Sequence, residues 1–490
     1  MISQKSSYFK IFLLIFMVAA ILRFWRLDAL TTVSGDQGYD FLTIFRMVQE
    51  HNITLLGPKI GPYNEIGNLY LGPAYYYLLT PALMLSGFDP IGAAVLTVVF
   101  ALGTIFMIYR IGKEYFSWQA ALVASAIFAL NPLLINQSRA SSNPHLIPFF
   151  SSVFIYASLK MIVSKSKSVV WPIGCGLALG VMVQFHYLAL AAAPVLVFAL
   201  LRQRQGRNLL IFGGAYVLAM FPQVLFELRH DFFVTRLFIK QMSAGENIFS
   251  LRLLVDHLGQ SAKILSDIFV PSLPVVLAGA VILVTVISLA RGGRRVLGQT
   301  LFLSGIVAMG FLAASLYAGR VDIHYFATLY VPLVILVGAI FAALFKRGLL
   351  SRYAGMIILA FILGSYLLDL NLASQSGYTM PAGWNLPGIR RASAIIAADA
   401  GSDGRFNIAQ TLDGDTRAMP LRYMSEVYGK RALGIEHYPE ADFIYLVARD
   451  DEEKIKEYSV WEISSFRPFK VEKRWEIQNG IYLYRLAHPY

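Results

Sequence analysis

The chain predicts a polytopic α-helical membrane protein, with about 11 transmembrane helices plus juxtamembrane helices, ending in a small C-terminal α/β extracytoplasmic domain. Three observations carry that prediction. Of 490 residues, 57% are hydrophobic and only 15% are charged, against about 25% charged in a soluble domain; mean hydropathy is +0.58. The basic residues behind the net charge of +12 fall in short clusters between apolar runs, the pattern of cytoplasmic membrane loops rather than of a nucleic-acid surface. After residue 370 the composition changes sharply, from span-like to mixed.

The elements follow in order. Lys5 and Lys10 precede the apolar run Ile11–Leu22, and Arg23, Phe24, Trp25 and Arg26 follow it where a cleavage site would need small residues, so it reads as an uncleaved first span. Basic clusters at Lys5/Lys10, Arg110/Lys113, Lys160/Lys165/Lys167, Arg202/Arg204/Arg207, Arg291/Arg294/Arg295 and Lys346/Arg347/Arg352 all lie on one side if spans run at 9–29, 90–109, 118–136, 145–163, 168–186, 188–201, 208–227, 268–290, 297–318, 324–345 and 353–370. The apolar stretch Leu71–Leu85 would invert every later cluster if it crossed. It reads instead as a helix at the outer face, started by Pro73 and anchored by Tyr75, Tyr76 and Tyr77. This puts the N-terminus in the cytoplasm and the C-terminus outside.

Two regions result, a transmembrane part over 1–370 with outer-face loops at 30–89 and 228–267, and an extracytoplasmic α/β domain over 371–490. Phe232–Lys240 and Leu251–Ile268 alternate apolar and charged residues as interfacial helices do. The tail reads as a helix (Ile389–Ala400), a strand (Phe406–Leu412), a helix (Thr416–Tyr428) and a buried strand (Phe443–Val447). A charged helix (Asp451–Tyr458) and a hairpin turning at Gln478-Asn479-Gly480 complete it.

The chain has no P-loop, no dinucleotide fingerprint and no His-Glu-x-x-His, and its one cysteine, Cys175, excludes a disulfide framework. An enzyme of this design that handles activated groups needs a donor from outside the cytoplasm, and a lipid-linked donor is the simplest. The first suspect for chemistry is Ser34-Gly35-Asp36-Gln37-Gly38-Tyr39-Asp40, directly after the first span. Asp36 and Asp40 share a face if Gln37–Glu50 is helical. They suit a general base, a divalent-cation site or, more plainly, a helix N-cap with a favourable first turn. Arg139, in Ser138–His145, is either a lipid-phosphate ligand or an interfacial arginine. Arg320, Asp322 and His324 form a second outward cluster, whose plain reading is a surface ion pair. His186 ends the fifth span, and Asp413-Gly414-Asp415 reads as a turn.

With these residues in view, the chain resembles the integral-membrane type C glycosyltransferases, on the protein O-mannosyltransferase and lipid A aminoarabinose-transferase branch. The similarity runs over about 1–200. It rests on the acidic motif after the first span, the Pro73–Leu79 tyrosine helix, a span ending near Tyr109–Lys113, and Asn131-Pro132 leading to Ser138-Arg139. His324-Tyr325 followed by Pro332 is similar to a later family segment. The resemblance implies an inverting transfer of a sugar from a polyprenyl-phosphate donor to an acceptor hydroxyl (of a protein, lipid or glycan) at the outer face of the plasma membrane. Asp36 is then the catalytic base, Arg139, Arg320 and His324 bind the donor phosphate, and Asp40, Asn143, His186, Tyr75 and Tyr76 contact substrate or metal. Three departures stand out: Gln37 where relatives carry Glu, Asn143 where they often carry Asp, and Leu71-Gly72-Pro73 without the Lys or His some place there. A lipid or sugar transporter is the rival from another class, but it would want polar residues inside the spans and internal repeats. Here span interiors are mostly aliphatic.

Overall fold

The computed structural model describes residues 2–60, 69–244, 251–269, 294–316, 321–373, 383–401, 404–478 and 480–489. Helix α1 (Ile2–Phe24) leads into α2 (Gly35–Gln49), the two-residue strands β1 (Lys59–Ile60) and β2 (Leu69–Tyr70), and α3 (Ala74–Leu85). Then come α4 (Ile91–Tyr115), α5 (Trp118–Leu130), α6 (Pro132–Arg139), α7 (Ile147–Ile162) and α8 (Val170–Phe185). The next helices are α9 (Ala193–Arg202), α10 (Gly206–Ala219), α11 (Phe221–Arg229), α12 (Phe233–Ala244), α13 (Leu251–Phe269), α14 (Arg294–Ser315), α15 (Tyr330–Lys346) and α16 (Leu349–Asp369).

Among the described residues six helices are long and apolar enough to cross a membrane, or eight if each bent pair is one span. Two further predicted spans fall on the shorter apolar helices Val170–Phe185 and Tyr187–Arg202; the one at 268–290 lies almost wholly outside the described residues. The span Ile323–Lys346 is 72% buried and Leu349–Asp369 only 17%, so the first runs through the centre of the bundle and the second along its rim. Helix α3 has 12 residues, about 18 Å at 1.5 Å per residue, well short of a hydrocarbon layer about 30 Å thick.

Two expected spans are broken. The segments α5 and α6 meet at 60°, and α10 and α11 at 64°. Both breaks precede a proline, Pro132 and Pro222, which cannot donate to the preceding turn but suits the first turn of a new helix. At the first break Asn131 caps α6 by accepting from Leu134 N at 3.1 Å, while its Nδ2 donates to Ile268 O at 2.6 Å.

Beyond residue 383 the chain forms α17 (Leu386–Asp399), β3 (Phe406–Gln410), α18 (Met419–Val427), β4 (Phe443–Ala448), β5 (Lys470–Gln478) and β6 (Ile481–Ala487). The sheet order is β3-β4-β6-β5, with β3 and β4 parallel and the rest antiparallel. The charged helix expected over Asp451–Tyr458 is one turn, Glu452–Ile455, with Ile455 its single buried side chain. One apolar anchor does not hold a longer amphipathic helix against a core.

Strand β4 is buried on both faces. Ile444, Leu446 and Ala448 pack with Tyr484, Ile463 and Phe466 in a separate cluster. Phe443, Tyr445 and Val447 join Leu386, Ile389, Met419 and Tyr423, and this core continues through Phe41 and Leu42 of α2 into the helical bundle. Polar ties reinforce the junction. Arg390 bonds Asp89 at 2.6 and 2.7 Å and also reaches Asp28; Tyr423 donates to Phe88 O.

Candidate functional site

Helix α2 starts with a capping box. Ser34 is the N-cap, and its N–H donates to Gln37 Oε1 at 2.7 Å, satisfying a donor that a helix start leaves open. The capping role that the sequence allowed for Asp36 is therefore filled by Ser34 and Gln37. Asp36, one position inside, is exposed, at the end of a helix where a negative charge is favoured. Gln37 does more than replace an acid. Its Nε2 donates to Ser141 O, so the helix start is pinned to the loop after α6.

Asp40 sits one turn on and differs from Asp36 in every respect. It is 5% exposed and accepts from Tyr76 Oη at 2.7 Å. Burial pushes its carboxyl up to about 8; the Tyr76 hydrogen bond offsets this only in part, and the Asp36 charge adds to it. Asp40 spends a carboxylate oxygen on Tyr76 Oη, and among the described residues no group of three or more His, Cys, Asp or Glu is placed to hold a metal ion.

Several predicted residues do converge beside Asp36. The Asp36 charge acts on His324. The rings of His324 and His186 are 5.6 Å apart, and Tyr325 packs on both, at 4.7 and 4.8 Å. Asn143 Nδ2 donates to Phe185 O at 2.6 Å, holding the loop after α6 against the residue before His186. Tyr75 Oη lies 3.1 Å from Ser141 Oγ. Together these place α2, α3, the 140–146 loop, the α8 terminus and the turn Ile323–Leu329 around one spot, at the end of the bundle that carries the C-terminal region. Arg320 lies outside the described residues.

Arg139 stands behind this group rather than in it. It is 2% exposed and its Nη2 donates to Leu22 O at 2.5 Å. Its charged neighbour is Arg23, fully buried, which donates to Ala129 O at 2.8 Å and Phe128 O at 3.2 Å. Both guanidiniums are held by carbonyls at helix C-termini, which carry partial negative charge. Each keeps a buried Nε–H with no acceptor among the described residues.

The sequence reading missed the other wall. The Asp413-Gly414-Asp415 turn, dismissed as a turn, reaches over from the C-terminal region to the start of α2. A Cβ on Gly35 would lie 2.5 Å from Asp415 Cγ, and one on Gly38 2.4 Å from Pro420 N. Asp415 caps α18 through its Oδ2, accepting from Met419 N at 2.7 Å, while burial, the Asp413 charge and the Asp36 charge hold its carboxyl above the ordinary range. The signal was available: glycine inside a helix costs about 1 kcal/mol against alanine, and two within four residues of one helix ask for a close neighbour.

Residues 71–226 match the family described as dolichyl-phosphate-mannose-protein mannosyltransferase. The chain is a multi-pass membrane protein with the fold of the type C glycosyltransferases. It is similar to the crystal structure of ArnT from Cupriavidus metallidurans bound to undecaprenyl phosphate, with a TM-score of 0.62 at 12% identity over 96% of this chain and 97% of that one. It is also similar to the oligosaccharyltransferase AglB from Archaeoglobus fulgidus in complex with an inhibitory peptide and a dolichol-phosphate, with a TM-score of 0.53 at 13% identity over 94% of this chain and 71% of that one. No curated protein matches by sequence. At these identities the likeness is one of fold.

Proposed function

We propose that this protein transfers a sugar from a polyprenyl-phosphate donor to an acceptor hydroxyl at the outer face of the plasma membrane, with inversion. The observation that carries the reading is the state of Asp36. It is exposed and relieved of capping by Ser34 and Gln37, and its charge acts on the imidazole of His324 nearby. A carboxylate so placed takes the proton of the attacking hydroxyl as that oxygen bonds to the anomeric carbon. The bond from that carbon to the phosphate oxygen breaks, and the electron pair leaves with the lipid phosphate. His324 donates toward that phosphate, and Arg139 adds positive charge from behind the loop. The type C fold and the match of residues 71–226 support this class of donor. Asn143 and Gln37 act here as positioning residues, since each spends its amide on a backbone carbonyl.

Purified protein in lipid nanodiscs is incubated with radiolabelled polyprenyl-phosphate sugar and with vesicles from host cells lacking the protein, which supply the acceptor. Asp36→Asn is expected to lower transfer by about 10²–10⁴-fold with the thermal unfolding midpoint unchanged. Full turnover in folded Asp36→Asn sinks the assignment. Translocation of donor without bond cleavage moves the protein to the transporter class.

A further inference from the structure

We infer that the C-terminal region is a positioning element for Asp36, gripping α2 from outside the bundle, with Glu426 and the Met419-Pro420 backbone as its contact points. This rests on the reading of Asp36 as the base and gives the C-terminal region a part in the same reaction.

The inference starts from what holds α2. On the bundle side its polar ties are Gln37 to Ser141 O and Asp40 to Tyr76, both in the first two turns. On the opposite side the contact runs the whole length of the helix. At its start Gly35 and Gly38 have no room for a Cβ against Asp415, Met419 and Pro420. In its middle Phe41 packs on Tyr423 at 5.6 Å, and Phe45 on Tyr423 and Phe88 at 6.4 and 5.0 Å. At its end Arg46 makes a two-pronged bond to Glu426, Nε to Oε1 at 2.9 Å and Nη2 to Oε2 at 2.7 Å. Arg46 lies ten residues after Asp36, about 15 Å along the axis. A helix held at both ends cannot rock about its start, and paired guanidinium–carboxylate bonds fix orientation as well as distance. A base displaced by about 1 Å can lose about 10²-fold in rate, so the grip bears on chemistry and not only on folding.

The prediction separates orientation from donor binding. Glu426→Arg and Arg46→Glu, each alone, set like charges against each other and are expected to lower kcat ten- to hundredfold, with donor KM within threefold of the parent. The double swap restores the opposite charges and is expected to return kcat to within threefold. Gly38→Ala, which must push Pro420 away, is expected to lower kcat likewise. Either single charge variant turning over at the parent rate, or a swap that recovers nothing, overturns the inference. A second arm does not depend on catalysis. Spin labels at Gln49 and Tyr428, both exposed, report the gap between α2 and α18. Glu426→Arg is expected to widen or broaden the distance distribution; an unchanged one overturns the grip. If the parent neither transfers nor hydrolyses the donor, the proposed reaction fails, and the spin-label arm still decides this inference.

Discussion

Buried charges are treated differently in the two regions of the chain. In the C-terminal region Arg422 and the half-buried Asp399 are each held by several partners, although Arg485 keeps a buried Nε–H and Asp415 a buried Oδ1 with no hydrogen-bond partner among the described residues. Arg422 donates through Nε to Arg417 O at 2.7 Å, through Nη1 to Leu433 O at 2.7 Å, and through Nη2 to Asn407, Ile408 O and Tyr438. Asp399 accepts from Tyr445 at 2.7 Å and Arg485 at 2.8 Å, and also from Lys473. Around Asp36 the coordination is thin. Among the described residues Asp40 has one side-chain donor, Tyr76, and Arg139 and Arg23 each keep an N–H without an acceptor. A saturated charge can only hold structure, since it has no capacity left for a ligand; an under-coordinated one still has something to offer. The contrast is between individual groups, Arg422 and Asp399 against Asp40 and Arg139, since both regions also leave buried polar atoms unpartnered.

Four experiments break or sharpen that contrast. The largest loss belongs to Arg422→Met. It removes the hydrogen bonds to Asn407, Tyr438 and three carbonyls from a dry core at once, and a loss of about 3–5 kcal/mol in unfolding free energy is expected. A variant that melts within 1 kcal/mol (about 2–4 °C) of the parent would show the network to be dispensable. Next, Asp399→Asn is expected to cost about 1–2 kcal/mol at pH 7. Burial raises the Asp399 carboxyl, but Lys473, Tyr445 and Arg485 together bring it below its ordinary 3.8. Its stabilisation is therefore present above pH 4 and lost as the pH falls through the folded value, so parent and variant should converge in acid.

Arg139→Ala tests the other side. If its charge acts on the donor phosphate from behind the loop, donor KM rises about tenfold, a difference of about 1.4 kcal/mol, whereas folded Arg422 variants keep the parent KM. An unchanged KM returns Arg139 to a purely structural tie between α1 and α6. The fourth effect is a gain. With its carboxyl at about 8, Asp40 stays protonated in the folded chain while the unfolded one ionises near pH 4, so stability falls between those values. Asp40→Asn keeps the Tyr76 bond without the charge. It should unfold at a higher temperature than the parent at pH 8.5 and at the same temperature at pH 4. A variant less stable at pH 8.5 would mean the carboxylate form is used.

Much of the fold was legible because it rests on local signals. Short apolar runs, continuous in Phe443–Val447, located the C-terminal strands, and Gly480 (φ 70°) marks the hairpin turn the sequence indicated. The two broken spans were read as continuous because hydropathy ignores direction; Pro132 and Pro222 carried the information and were passed over. The site was legible in residue type but not in partnership. Asp36, His186 and His324 were all nominated, yet Arg139 turning to Leu22 and Asp415 facing Gly35 depend on contacts across more than a hundred residues, which no local pattern encodes. The assignment of Gln37 as a mere departure from relatives failed for the same reason: its use as cap and tie is visible only once Ser141 is beside it.

The unbroken apolar core that passes from the bundle through Phe41 into Met419 and Tyr423 has a practical consequence. A fragment beginning near residue 383 would turn that seam toward water and should aggregate instead of behaving as a free globule. Heating the whole chain should give one melting event for helices and sheet together, because neither half keeps its inner surface dry once the other has gone.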